Sequence, residues 1–281
     1  MLGRRWTALI SPLFASSSAS TSAAAPRAFS TARPAAAHYL RPTLFAFGGT
    51  VAAFGLGVAA YDASQVKDVG RAGSMRDFFM RRQIDRAIDH DRTLKAIAET
   101  GALPHDAKKL ATMVANRWYT LSEGQRTVAG LMAVNGVVFA AWQVPRGRIM
   151  GIMNRWFVHN PTSGRSVTLL TSAFSHQTAL HFGMNMFGLW TVGAGLHSAL
   201  GSRHEFLAFY TSAALVSGWV SHVLTLRTVA MGAIVGSLGA SGALFACLGA
   251  FAILYPDVRV GIMFIPGVDF ALKVFYPYFL Q

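Results

Sequence analysis

Residues 175–185 read Ser175-His176-Gln177-Thr178-Ala179-Leu180-His181-Phe182-Gly183-Met184-Asn185, and they open an apolar run that continues to Leu200. A run of about 20 such residues is long enough to cross a hydrocarbon core as a helix. His181 and Asn185 are four residues apart, so they share one helix face, with His176 at the mouth of the segment. Polar side chains are costly in lipid and default to functional candidates. Taken alone, the trio also fits a hydrogen-bonded cluster that packs helices together. A metal site is disfavoured, because no carboxylate or cysteine stands beside the two histidines.

The composition agrees with a membrane setting. Of the 281 residues, 53% are hydrophobic and only 13% charged, with 27 further glycines. Soluble domains carry about 25% charged residues. A single cysteine, Cys247, excludes a disulfide framework and any Cys-based zinc site. The net charge of +13 is spread out rather than gathered in one patch, so no nucleic-acid partner is needed. Residues 1–61 hold five arginines and no acid, and the loops beyond Thr127 carry most of the remaining excess. Those loop arginines fall on both sides of the apolar segments, so the positive-inside rule gives no clean orientation.

Residues 1–37 are rich in Ala, Ser and Arg and lack acid, the composition of a mitochondrial or chloroplast transit peptide. Arg27-Ala28-Phe29-Ser30 matches a presequence cleavage pattern. Residues 38–61 contain a first transmembrane helix, Thr43–Tyr61. Residues 62–126 read as an extramembrane helical hairpin, with Ser74 and Asp77 at a capping-box-like start. Gly101 and Pro104 break it before a second piece at Asp106–Tyr119. From residue 127 the apolar segments return: Thr127–Val144, a long loop at 145–166, then Ala179–Leu200, Glu205–Leu226, Ile234–Tyr255 and Val260–Phe279. Backbone in lipid must bond internally, so the expected fold is an all-α polytopic membrane protein.

A second cluster lies in the Ile234–Tyr255 segment: Gly236-Ser237-Leu238-Gly239-Ala240-Ser241-Gly242-Ala243. Small residues such as Gly232 and Gly236 let helices approach closely, which alone would account for Ser241. The chemical alternative is a nucleophile. A serine flanked by glycines lets a substrate backbone reach its hydroxyl, with free N–H groups nearby for an oxyanion.

Together the two clusters resemble the rhomboid intramembrane serine proteases. The wider strings Thr171-Ser172-Ala173-Phe174-Ser175-His176-Gln177 and Ser237–Ala243 are similar to the mitochondrial presenilin-associated rhomboid-like branch. That branch has a transit peptide and an extra helix ahead of a six-helix core, which here would be residues 127–281. The resemblance implies a rhomboid-like helical bundle in the mitochondrial inner membrane and a serine-type endopeptidase. Ser241 would be the nucleophile, His181 and Asn185 the oxyanion donors. His176, Gly239 and Gly242 would support them. It implies no metal or organic cofactor. The partners would be the lipid bilayer and single-pass transmembrane protein substrates.

The family's base is a histidine in an Ala-His-x-x-Gly string on the last core helix, and no histidine follows His222 in this sequence. A serine without a base is a poor nucleophile at neutral pH. His222 is read as a packed or interfacial residue rather than a replacement. The expectation is that the last core helix is missing, so that the 281 residues alone show no Ser241-dependent cleavage. A truncated or spliced form, an inactive relative that binds transmembrane clients, and an unusual base all remain open. Outside the family, a helix-bundle transporter or translocase subunit would explain the glycine-rich helices but leave both motifs to coincidence.

Overall fold

The computed structural model describes residues 36–69, 75–144, 147–229, 236–261 and 269–272. The transit-peptide reading, Ser74, Gly232 and most of the Val260–Phe279 segment therefore lie outside the described residues.

Helix α1 spans Ala37–Val69, longer at both ends than the apolar stretch that announces it. Asp62, Ser64 and Lys67 end its apolar character but not its helix, because none of them breaks the backbone pattern. Ala46 is buried against Leu169 and Leu215, whereas Leu44, Val51 and Leu56 are more than 60% exposed. That exposed apolar flank suits lipid.

Two helices follow, while residues 62–69 of the expected hairpin belong to α1. Helix α2 spans Met75–Glu99 and α3 spans His105–Thr120, with the break at Gly101 and Pro104. Arg86 donates to the carbonyls of Tyr119 and Leu121, and the His90 ring stacks on Tyr119.

Helix α4 spans Glu123–Trp142 and begins four residues before the apolar run. Ser122 and Gln125 form a reciprocal capping box that satisfies two end groups. The loop expected at 145–166 is not all loop. Gly147–Trp156 forms helix α5, with Met153 buried against Val138 and Trp142. Its Arg155 points to solvent and lies, with Arg165, over the Trp156 ring at 5.6 and 5.8 Å. A narrow apolar face is enough to hold this short helix on α4.

After a turn at Pro161–Ser163, α6 is a single helical turn at Thr168–Thr171. Helix α7 (Ala179–Gly188) passes through a π-helical turn at Leu189–Gly193 into α8 (Ala194–Leu200). Helix α9 spans Arg203–Val229. The core lies between α4, α7, α8, α9 and the helix that follows. It contains Val128, Leu189, Leu196, Phe206, Tyr210 and Cys247, the lone cysteine serving as a packed apolar residue.

Two expectations fail near the C-terminus. The expected Ile234–Tyr255 helix starts only at Ser241, as α10 (Ser241–Leu254), and residues 236–240 are not helical. Gly236 therefore does not act as a small residue on a helix face; it packs its bare Cα against Val158. Where the expected Val260–Phe279 helix falls on described residues, there are instead two antiparallel strands, β1 (Arg259–Gly261) and β2 (Asp269–Ala271). An Arg259–Asp269 ion pair joins the strands, and this bond lowers the Asp269 pKa and raises that of Arg259.

Among the described residues two helices, 37–66 and 203–227, are long and apolar enough to cross a membrane alone. The molecule is a helical membrane protein with one short pair of strands among the described residues.

Candidate functional site

The site forms where α7 and α10 begin. Thr178 precedes α7, and its hydroxyl accepts from the His181 N–H at 3.4 Å. This places His181 in the first turn and Asn185 one turn on. The Asn185 side-chain amide donates to the His181 carbonyl at 2.8 Å. One amide hydrogen is thereby used and the second is left over.

Three anchors hold the chain as it enters α10. Ser237 and His159 exchange both main-chain hydrogen bonds, at 2.9 and 3.0 Å. The Gly239 N–H donates to the Ser172 carbonyl at 2.9 Å. The Ala240 N–H donates to His176 Nε2 at 3.3 Å. His176 thus accepts through Nε2, which puts its proton on Nδ1, buried with no hydrogen-bond partner. In this connection ahead of α7, burial first and the neighbouring His181 second push the His176 pKa down to about 4, which keeps Nε2 able to accept.

Gly239 has φ +119°, a conformation closed to L side chains. A Cβ there would also lie 2.6 Å from Cε1 and 2.8 Å from Nε2 of His181. The absent side chain is the space that the His181 ring occupies. The ring is thereby brought against the residue two before Ser241.

Ser241 is the first residue of α10. The first intrahelical bond is from the Leu244 N–H to the Ala240 carbonyl, at 3.0 Å. The N–H groups of residues 241–243 therefore have no acceptor within the helix, and the helix dipole adds positive potential there. Among the described residues the Ser241 hydroxyl has no hydrogen-bond partner. It borders two clefts. One, of about 260 Å³, runs between α7 with its π-helical turn and α10, along Asn185, Gly188, Leu244 and Leu248. The other, of about 150 Å³, is lined by the hydroxyls of Ser172, Ser217, Ser221 and Ser237. Gly242 lies so close to α9 that a Cβ would sit 2.4 Å from Ser217 Oγ.

All six residues singled out in the sequence thus come together: Ser241, His181, Asn185, His176, Gly239 and Gly242. Residues 163–280 match the rhomboid domain family. Over that stretch, about two fifths of its length, the chain is similar to a rhomboid domain.

Several mitochondrial rhomboid proteins are similar to the chain. Presenilin-associated rhomboid-like protein A, mitochondrial, of Danio rerio is 37% identical over 163 residues, 58% of this chain and 41% of that protein. The Homo sapiens presenilin-associated rhomboid-like protein, mitochondrial, is 40% identical over 157 residues, 55% of this chain and 40% of that one. Rhomboid protein 1, mitochondrial, of Saccharomyces cerevisiae is 35% identical over 153 residues, 53% of this chain and 42% of that one. The matches thus span about two fifths of each relative's length. No solved structure matches significantly.

The site also includes residues that the sequence did not reveal. The Ser172 carbonyl, His159 and Ser217 all shape the approach to Ser241, each through a contact between distant segments. His222 has both ring nitrogens engaged, with His159 at 2.9 Å and the His38 carbonyl at 2.7 Å, so it is a packed residue and not a free base.

Proposed function

We propose that this chain is an intramembrane serine endopeptidase of the mitochondrial inner membrane, with single-pass transmembrane proteins as substrates. The observation that carries the reading is Ser241 at the open N-terminus of α10 with the His181 ring seated on Gly239. With a base such as added imidazole taking the hydroxyl proton, Ser241 Oγ attacks the scissile carbonyl. The oxyanion that forms accepts from the Ser241 N–H, the His181 ring and the spare hydrogen of Asn185, donors held before the charge develops. The C–N bond then breaks, the amine leaves with that proton, and water hydrolyses the acyl-Ser241 ester. The apolar cleft beside Asn185 takes an unwound stretch of the substrate, and the hydroxyl-lined cleft admits water for deacylation. His176 supports the turn through the Ala240 N–H, while Gly239 and Gly242 keep His181 and Ser217 close to the serine.

The base is not assigned to any of the nine histidines of this sequence. This shapes the test, which is chemical rescue. In proteoliposomes with a single-pass reporter, the 281-residue chain alone should give no Ser241-dependent cleavage. Added neutral imidazole should restore cleavage in proportion to its concentration, and Ser241→Ala should abolish the restored activity. Capture of the reporter without cleavage at any imidazole concentration would instead favour an inactive, client-binding rhomboid.

A further inference from the structure

Two histidines that the proposed chemistry does not use connect α1 to the loop ahead of Ser241. His222 Nε2 on α9 lies 2.7 Å from the main-chain carbonyl of His38, in the first turn of α1. That carbonyl has no partner in its own helix, because the residue four positions on is Pro42, which lacks an N–H. A carbonyl only accepts, so His222 Nε2 carries the proton. In the neutral ring Nδ1 is then an acceptor, and it lies 2.9 Å from His159 Nε2, which must donate. His159 Nδ1 in turn accepts from the Thr168 hydroxyl at 2.8 Å. That hydroxyl also lies 2.6 Å from the Arg165 carbonyl, so its one proton is shared between the two acceptors.

The two histidine bonds therefore each have one direction, from His159 through His222 to the main chain of α1. The side chains of Thr168, His159 and His222 are only 1–2% exposed, so water cannot replace a lost partner. One turn earlier on α9, Trp219 Nε1 donates to Thr43 Oγ1 at 2.8 Å, a second polar tether to α1. At the other end, the His159 main chain pairs in both directions with Ser237.

We propose that His159 and His222 are positioning residues. They form a hydrogen-bond relay through which the seating of α1 on α9 sets the strand at 236–239 and, with it, the place of Ser241. The relay stands on its own geometry; only its consequence for turnover rests on the protease reading.

The test is amide hydrogen exchange of the whole chain in nanodiscs, followed on peptides covering residues 157–161 and 236–240. His222→Phe keeps ring volume but neither donates nor accepts, whereas His222→Gln keeps a donor and an acceptor. The expected result is roughly tenfold faster exchange of the His159 and Ser237 amides in His222→Phe and less than about threefold in His222→Gln. Peptides within α10 should be unchanged in both variants, which reports an intact fold. Thr168→Val, which removes the first donor at nearly constant volume, should open the same two amides.

Unchanged exchange in Thr168→Val or His222→Phe overturns the relay. So does His222→Gln opening as far as His222→Phe, since packing alone would then hold the strand. Where imidazole-rescued cleavage is measurable, His222→Phe should lower kcat roughly tenfold with KM within about twofold. A chain that shows no Ser241-dependent cleavage but opens in His222→Phe supports the relay and counts against the protease reading alone.

Discussion

Gly239 carries the tightest constraint at the residue scale. Gly239→Ala would force a side chain into a φ of +119° and place a methyl 2.6 Å from the His181 ring. The cost of such backbone strain is about 1–3 kcal/mol, before any displacement of His181. The expected outcome is a lower melting temperature together with loss of imidazole-rescued cleavage. Full rescued cleavage in Gly239→Ala would remove His181 from the proposed oxyanion site. A second residue-scale prediction concerns pH. His159 lies in the connection after α5, where burial first and His222 second push its pKa down to about 4. The folded ring is thus neutral and the unfolded ring takes up the proton. Protection of the His159–Ser237 pair should be constant above about pH 6.5 and fall as pH drops from there towards 4. Protection that rises over that window would mean the ring is held charged. At this scale the sequence was legible where the chemistry is local. His181 and Asn185 could be placed on one face by their spacing, and Ser241 by its flanking glycines. The φ of Gly239 and the His159–His222 pair were not legible, because both depend on segments tens of residues apart.

At the scale of elements, the clearest lesson is the helix that starts late. Residues 234–255 are apolar and small throughout, so nothing in their periodicity marks a break at 240. The break comes from outside the segment, from the His159 and Ser172 main chains that take up Ser237 and Gly239. It is also what puts Ser241 at a helix N-terminus, where its N–H is free. The opposite error occurred at α5, where Arg148, Asn154 and Arg155 hid a helix whose buried face is narrow. Helix α4 was recognised but begun too late, because its start is set by the polar Ser122–Gln125 capping box and not by the apolar run. Ser122→Ala should therefore destabilise the fold by about 1 kcal/mol, measured by thermal unfolding in detergent. It should leave imidazole-rescued cleavage per folded molecule unchanged, since the cap lies at the hairpin junction and not at Ser241. A loss of cleavage without a loss of stability would tie the hairpin to the site.

At the scale of the whole molecule, the division into leader, extra helix, hairpin and core was read from where charge and apolar runs alternate. What that reading could not provide is how the extra helix is docked, because lipid-facing and protein-facing apolar residues look alike in sequence. In the structure α1 lies along α9 through two close approaches. A Cβ on Gly49 would meet Leu215 at 2.8 Å, and one on Gly57 would meet the Ala208 methyl at 2.9 Å and the His204 carbonyl at 3.3 Å. The Leu215 side chain can turn aside, but Ala208 and a main-chain carbonyl cannot. Gly57→Leu should consequently push α1 away from α9 at a point 19 residues along the helix from His38. That span is about 28 Å at 1.5 Å per residue, too far for direct contact with the relay. If α1 docks as one rigid body, the displacement should lengthen the His222–His38 bond. Exchange at Ser237 should then rise in Gly57→Leu, while Gly48→Leu, where a Cβ meets nothing within 4 Å, should leave it unchanged. Faster exchange confined to residues around Gly57 would show instead that α1 bends locally and that its two ends are seated independently.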